Sequence, residues 1–207
     1  MIEAPNLKNV SEHRKENPNV LAAILLAPKF SKRGFDDIIQ RIEYLNMRSG
    51  KTLHFYCAGY GAYQPDIADA EKLNVNVKYN PNRIPWTFSQ IQFAKFVDDL
   101  ETETKWTYSG NTEIIILENT DNFKNCIVLK IDEMIKDKII DSANDIIEAL
   151  IQYSRRENSI QKISLKEIDK ITDDETIKGI LSLLPKPFEN LWNVWNKGKH
   201  YTLVDLE

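Results

Sequence analysis

The segment HFYCAGYGAY, residues 54–63, concentrates side chains capable of binding chemistry. It contains two glycines, three tyrosines and a cysteine directly after an apolar run. Glycines allow positive φ angles and close backbone approach, and tyrosine rings stack on flat ligands while their hydroxyls donate hydrogen bonds. We therefore predict a ligand site at this turn, formed by Gly59, Tyr60, Gly61 and Tyr63. The alternative is a tight turn in which the tyrosines shield the core.

The cysteine of this segment, Cys57, becomes a nucleophile only beside a base and in an electropositive setting. His54 is three residues away, so on a strand it faces the opposite side. We therefore favour a buried structural thiol. The second cysteine, Cys126, lies far along the chain and the histidines are scattered, so no metal-ligand spacing is present.

A second candidate is the loop APKFSKRG, residues 27–34, which places cations before a predicted helix. Helix N-termini carry partial positive charge and attract anions. Lys29 and Arg33 are thus predicted to bind an anionic group. The spacing matches neither a P-loop nor a GxGxxG dinucleotide motif, and the alternative is a solvated loop.

Carboxylates form a third candidate. Glu118 closes an apolar strand and Glu113 lies within it. A carboxylate in a cleft serves as a general acid or base, or grips a ribose. Glu118 is the candidate catalytic residue, with Glu113 as its alternative.

The stretch FENLWNVWN, residues 188–196, repeats large apolar side chains at helical spacing. One interpretation is a helix docked on the core. The other is a partner-binding face built on Trp192 and Trp195, because exposed tryptophans anchor protein interfaces.

The elements that position these groups begin with a β–α–β unit. NVLAAILLAP reads as a strand covered on both faces, residues 35–50 as a helix, and KTLHFYCAG as a second strand. Parallel strands joined by a right-handed crossover are the default. NTEIIILEN and NCIVLKID are separated by a short polar segment, which predicts an antiparallel hairpin.

The predicted fold class is α/β: a Rossmann-like open mixed sheet, largely parallel, with helices on both faces and a helical C-terminal segment. Residues 1–131 form the sheet core with an N-terminal arm. Residues 132–207 form C-terminal helices and a terminal edge strand packed on the same domain. Ligands of open α/β sheets sit outside the carboxyl ends of the strands, so the first three candidate segments are expected to converge.

Composition limits the function classes. The chain has 207 residues, a net charge of -4 and a pI near 5.5, so nucleic acid binding is not expected. The N-terminus lacks a signal-peptide pattern and the longest apolar run is too short to span a bilayer. We expect a soluble cytoplasmic protein without membrane association. Abundant Ile, Asn and Lys suggest an AT-rich bacterial genome.

Three functions fit these residues. The first is a sensor or regulatory domain that binds a nucleotide-like or other anionic small molecule at the carboxyl ends of its strands. The second is a protein–protein interaction subunit of a larger bacterial complex. The third is a nucleotide- or NAD-processing enzyme with a catalytic glutamate. The sequence identifies no cofactor and no metal site.

Overall fold

The structure is a computed structural model that describes most of the chain. The described ranges are 1–4, 6–18, 20–62, 69–72, 86–117, 126–161, 173–184 and 198–204. Four predicted site residues lie outside these ranges, and their roles stay predictions: Tyr63, Glu118, Trp192 and Trp195. Within these ranges no helix combines the length and the apolar character needed to cross a membrane.

Two sheets organise the described residues. The strands are β1 Ile2–Ala4, β2 Leu21–Leu26, β3 Leu53–Ala58, β4 Tyr60–Gly61, β5 Glu71–Lys72, β6 Thr87–Phe88, β7 Glu113–Leu117, β8 Cys126–Lys130 and β9 Tyr201–Val204. The main sheet has the order β1-β3-β2-β7-β8-β9, and the small sheet has the order β4-β6-β5. In the main sheet β1 and β9 are the edge strands.

The main sheet is mixed, as the α/β prediction requires. β3 pairs in parallel with β1 and β2. The remaining described pairs, β2 with β7, β7 with β8 and β8 with β9, are all antiparallel. The largely parallel, Rossmann-like arrangement is therefore not confirmed. The hairpin predicted between β7 and β8 is antiparallel, as expected.

The register brings one set of strand ends together. Leu26, the last residue of β2, pairs with Glu113, the first residue of β7, and Glu113 also pairs with Lys130, the last residue of β8. Leu129 pairs with Tyr201, which begins β9. We call this the site end of the sheet: the carboxyl ends of β2, β3 and β8 and the amino ends of β7 and β9. The carboxyl end of β7, which precedes Glu118, lies at the opposite end.

Helices surround the sheet. Their bounds are α1 Leu7–Glu16, α2 Lys32–Asp37, α3 Ile42–Ser49, α4 Gln90–Glu103, α5 Ile131–Lys136, α6 Ala143–Gln161 and α7 Asp173–Leu181, with a 3-10 turn at Ile39–Arg41 between α2 and α3. The Ser31 hydroxyl accepts from the Gly34 N–H, so α2 begins earlier than the predicted helix at 35–50. The Ser89 hydroxyl caps α4 by accepting from the Gln92 N–H at 3.0 Å.

The hydrophobic core covers both faces of the central strands of the main sheet. β2 is buried from Ala22 to Leu26, and β7 is buried along its whole length. Strands buried on both faces read as continuous apolar runs, which is why "LAAILL" and "EIIIL" lack an alternating pattern. Glu113 is the exception within these runs: it is a fully buried acid in an otherwise apolar strand.

Candidate functional site

The predicted glycine–tyrosine turn is tightly packed. Gly59 has φ +77°, and a Cβ there would lie 2.7 Å from the Cβ of Phe93. The Gly59 carbonyl accepts from the Ser89 N–H at 3.0 Å, and its own N–H donates to Ala4. These contacts require glycine because L-residues disfavour positive φ and no space exists for a side chain.

Tyr60 is a core residue. Its side chain is fully buried, its hydroxyl donates to the Ala27 carbonyl at 2.7 Å, and its ring lies 4.8 Å from that of Phe88. The Gly61 carbonyl accepts from the Thr87 hydroxyl at 3.1 Å. These polar groups of the turn thus form hydrogen bonds with other parts of the protein. The ligand role predicted for Gly59, Tyr60 and Gly61 stays a prediction.

Cys57 and His54 face opposite sides of β3, as strand alternation predicts. Burial raises the pKa of the Cys57 thiol to about 12, so the thiol is protonated and unreactive at neutral pH. His54 instead meets His13, with ring centroids 5.0 Å apart. Burial and the neighbouring His13 lower the pKa of His54 to about 4.

The predicted cationic loop reaches carboxylates of its own chain. Lys29 forms an exposed ion pair with Glu71. The Nε of Arg33 lies 3.7 Å from Oδ1 of Asp132, at the start of α5. The Ser31 hydroxyl also contacts that of Thr112 at 2.7 Å. The loop therefore lies against the site end of the sheet, and each predicted cation has a carboxylate partner.

Glu113 lies at the same end of the sheet and is unusual in its surroundings. It is fully buried, and neither carboxylate oxygen has a hydrogen-bond partner of acceptable geometry. Burial raises the pKa of Glu113; the Ser109 hydroxyl and backbone N–H, Lys130 and Trp106 oppose this rise in part. An ionised, unpartnered carboxylate is costly to bury, so this environment favours the protonated acid.

Two aromatic side chains share this property. Trp106 Nε1 and the Tyr108 hydroxyl are buried without a hydrogen-bond partner of acceptable geometry, and their rings lie 5.9 Å apart. Burial, with the charges of Glu113 and Asp132, raises the pKa of Tyr108. We call Trp106, Tyr108 and Glu113 the Glu113 cluster. Each orphaned group costs about 1–3 kcal/mol, and native proteins keep few of them.

A surface cavity of about 280 Å³ is lined by neighbours of this cluster: Ser109 and Thr112 along the chain, and Lys130, which pairs with Glu113 across the strands. Its lining includes the hydroxyl- and amide-bearing residues Ser109, Asn111 and Thr112, together with Lys130 and Lys199. Ser109 and Lys130 both line the cavity and act on the charge of Glu113. The cavity and the buried acid are therefore parts of one electrostatic environment.

The acids that line the cavity each have a cationic partner. Asp132 accepts from the Thr112 N–H at 2.8 Å and pairs with Arg33. Glu133, also in the lining, pairs with Lys136 at 3.5 Å.

The two lysines of the lining differ. Lys199 pairs with Asp137. Lys130 donates from Nζ to the Gly198 carbonyl at 2.9 Å. Among the described side chains no carboxylate forms an ion pair with Lys130. Its charge is therefore available to the cavity.

Sequence reasoning missed the cavity lining. Lys130, Ser109 and Thr112 were not predicted as site residues, although a hairpin was. A signal did exist, because an antiparallel hairpin pairs the start of its first strand with the end of its second, here Glu113 with Lys130. The length of the connection, residues 118–125, hides that register from the sequence.

No group of three or more potential metal-ligating side chains occurs in the described ranges. No protein-family model, curated protein or solved structure matches this chain. The function is therefore argued from the chemistry of the site.

Proposed function

We propose that this protein binds a small anionic molecule in the cavity beside Lys130, in a sensor or regulatory role. The observation that carries the proposal is the Lys130 ammonium. Lys130 lines the cavity together with other polar and charged residues, and its ammonium has no carboxylate ion-pair partner among the described residues. A lysine ammonium is a compact point charge suited to phosphate or carboxylate.

The uncharged polar residues of the cavity lining support an anionic ligand. Ser109 and Thr112 carry hydroxyls and Asn111 carries an amide, all of which are able to donate hydrogen bonds. The acids of the lining are held by Arg33 and Lys136. Their charge is therefore balanced locally, and the cation of Lys130 remains.

The size of the cavity narrows the ligand class. A volume of about 280 Å³ lies just below the roughly 300–1,000 Å³ typical of sites for drug-sized ligands. It suits a phosphate or carboxylate group of a small metabolite rather than an entire dinucleotide. A nucleotide-like ligand would bind here by its phosphate, with its base outside.

A thermal-shift and calorimetry experiment tests the proposal. Wild-type protein is titrated with sulfate, inorganic phosphate and small phosphomonoesters. At a hundredfold excess over the dissociation constant, a ligand stabilises the folded state by about 2.7 kcal/mol. We expect a saturable shift that K130Q abolishes.

The matched control is K8Q. Lys8 is an exposed lysine on α1 that pairs with Glu12, so K8Q removes the same charge away from the cavity. We expect K8Q to retain binding. Equal losses in K130Q and K8Q would indicate nonspecific charge effects and contradict the proposal, as would the absence of any saturable shift.

A second candidate, acid catalysis, is favoured by one observation. Glu113 is buried with a raised pKa, which is typical of carboxyl groups that serve as general acids. Product formation from a bound phosphoester, abolished by E113Q while binding persists, would support this function. Glu118 and the partner surface at Trp192 and Trp195 lie outside the described ranges, so no described contact favours catalysis by Glu118 or the binding of a protein partner.

A further inference from the structure

We propose that anion binding in the Lys130 cavity is coupled to the uptake of one proton by Glu113, so that the protein binds its anion more tightly as the pH falls. The inference rests on the proposed function and names its regulation. Its physical basis is the juxtaposition, on neighbouring strands, of one cation without a carboxylate ion-pair partner among the described residues and one buried acid without a hydrogen bond of acceptable geometry.

The pairing register of β7 and β8 places Glu113 and Lys130 side by side. Glu113 and Lys130 are directly paired across β7 and β8, so their side chains leave the same face of the sheet. They form no ion pair, because the Lys130 ammonium donates to the Gly198 carbonyl instead. Lys130 nevertheless favours the ionised form of Glu113 through space, and this lowers the pKa of Glu113.

An anion bound to Lys130 removes that support. Its negative charge cancels the field of the ammonium and adds a like charge near the carboxyl group. A nearby like charge disfavours the ionised form of an acid, and no other cation is close enough to oppose the effect among the causes that act on Glu113. The pKa of Glu113 therefore rises further when the anion binds.

The remaining groups around Glu113 do not replace it as the proton acceptor. Trp106, Tyr108 and Ser109 carry no charge at neutral pH. On α5, Asp132 is held by Arg33 and by the Thr112 N–H.

Beyond the cavity, Nε2 of His200 lies 2.7 Å from Asp137, which also pairs with Lys199. His200 follows Lys199 of the cavity lining and has a ring nitrogen that is able to take up a proton. The experiment must therefore separate His200 from Glu113.

The coupled step is balanced. Between the free and the bound pKa of Glu113, this side chain is a carboxylate before the anion binds; afterwards one of its oxygens carries a proton taken from the buffer, and the anion keeps its charge beside Lys130. No other bond forms or breaks. At pH values between the free and the bound pKa of Glu113, affinity for the anion falls about tenfold for each pH unit of increase.

Sulfate is the probe, because its charge is constant over this range and any proton uptake belongs to the protein. Isothermal titration at one pH in buffers of different ionisation enthalpy gives the number of protons taken up. We expect an uptake that approaches one proton per sulfate for wild-type protein. E113Q is expected to bind sulfate with no uptake and with a pH-independent affinity, although it retains His200.

A second measurement on wild-type protein does not depend on the folding of E113Q. The carbon-13 resonance of the Glu113 side-chain carboxyl reports its protonation directly. We expect its titration midpoint to move to higher pH when sulfate is added.

The possible outcomes separate the two proposals. Absence of sulfate binding in both wild type and E113Q overturns anion binding and the coupling with it. Sulfate binding that K130Q abolishes, but that brings no proton uptake, overturns the coupling alone. Uptake that persists in E113Q assigns the proton to another group and has the same consequence.

Discussion

The Gly59–Tyr60 turn and the Glu113 cluster lie at the same end of the sheet, yet their buried polar groups differ in hydrogen bonding. In the turn, the Tyr60 hydroxyl donates to Ala27 and the Gly59 carbonyl accepts from Ser89. In the cluster, both oxygens of Glu113 and the Tyr108 hydroxyl have no hydrogen-bond partner of acceptable geometry. These polar groups of the turn form hydrogen bonds within the protein, whereas those of the cluster lack hydrogen bonds of acceptable geometry.

This difference shows which burial stabilises the fold. A buried polar group with a partner adds about 1 kcal/mol to stability, whereas an orphaned one costs about 1–3 kcal/mol. Stability alone does not account for Glu113 in an apolar strand. A polar cavity beside it, lined in part by Lys130, is consistent with a functional reason for the cost.

The largest effect is expected at the turn. G59A introduces a Cβ 2.7 Å from Phe93 at a φ of +77°. Positive φ costs about 1–2 kcal/mol and overpacking adds about 1–3 kcal/mol, so the free energy of unfolding should fall by roughly 3 kcal/mol. Urea denaturation measures this change.

Gly110 supplies the matched control for G59A. It has a similar φ of +82°, but nothing lies within 4 Å of its added Cβ. G110A should therefore lose only about 1 kcal/mol from backbone strain. Equal losses at the two positions would show that packing at Gly59 does not matter.

Removal of one tyrosine hydroxyl from each region sharpens the comparison. Y60F breaks the 2.7 Å hydrogen bond to Ala27 and leaves a buried carbonyl unpaired, so stability should fall by about 1–2 kcal/mol. Y108F removes a hydroxyl that has no partner and should be neutral or stabilising. Thermal and chemical denaturation compare the variants. A destabilising Y108F would mean that its hydroxyl does have a partner.

The pH dependence of stability in E113Q tests whether folding raises the pKa of Glu113. Because folding raises the pKa of Glu113 above its ordinary value of 4.5, its contribution to stability is complete below pH 4.5 and is lost as the pH rises through the raised pKa. E113Q escapes this loss, which amounts to about 1.4 kcal/mol per unit of pKa shift. We expect the stability of E113Q relative to wild type to increase as the pH rises above 4.5 in parallel urea titrations. A constant difference across that range would exclude a raised pKa.

His54 should change the stability with pH in the direction opposite to Glu113. Its pKa is lowered from 6.5 to about 4 by burial and by His13, so its contribution is present above pH 6.5 and is lost as the pH falls towards 4. The imidazole is half-buried, and water screens the effect to about 1 kcal/mol or less. H54Q should flatten the acid limb of the stability profile and leave the alkaline limb unchanged. An unaltered acid limb would assign that sensitivity to other groups.

Local elements could be predicted because their signals are local. The apolar runs indicate β2, β3, β7 and β8, and Ser89, which caps α4, is of a residue type that commonly caps helices. The opposite facing of His54 and Cys57 follows from the period of a strand. These inferences need only neighbouring residues.

The candidate site could not be predicted to the same extent. An apolar run does not show whether its strand will lie parallel or antiparallel to a distant one, so the antiparallel pairing of β2 with β7 was missed. That pairing puts Glu113 at the site end and the carboxyl end of β7 at the opposite end. The short β1 and the small sheet β4-β6-β5 carried too few residues to leave a pattern.

The sequence by itself determined the α/β class and the central strands, because hydrophobic periodicity and capping are properties of neighbouring residues. It also supplied the glycine that the turn at Gly59 requires. Only the tertiary structure decided which polar groups find partners. Tyr60 meets Ala27 across 33 positions, whereas Glu113 meets no partner of acceptable geometry. Hydrogen bonding between distant segments depends on their three-dimensional arrangement, which no local pattern records.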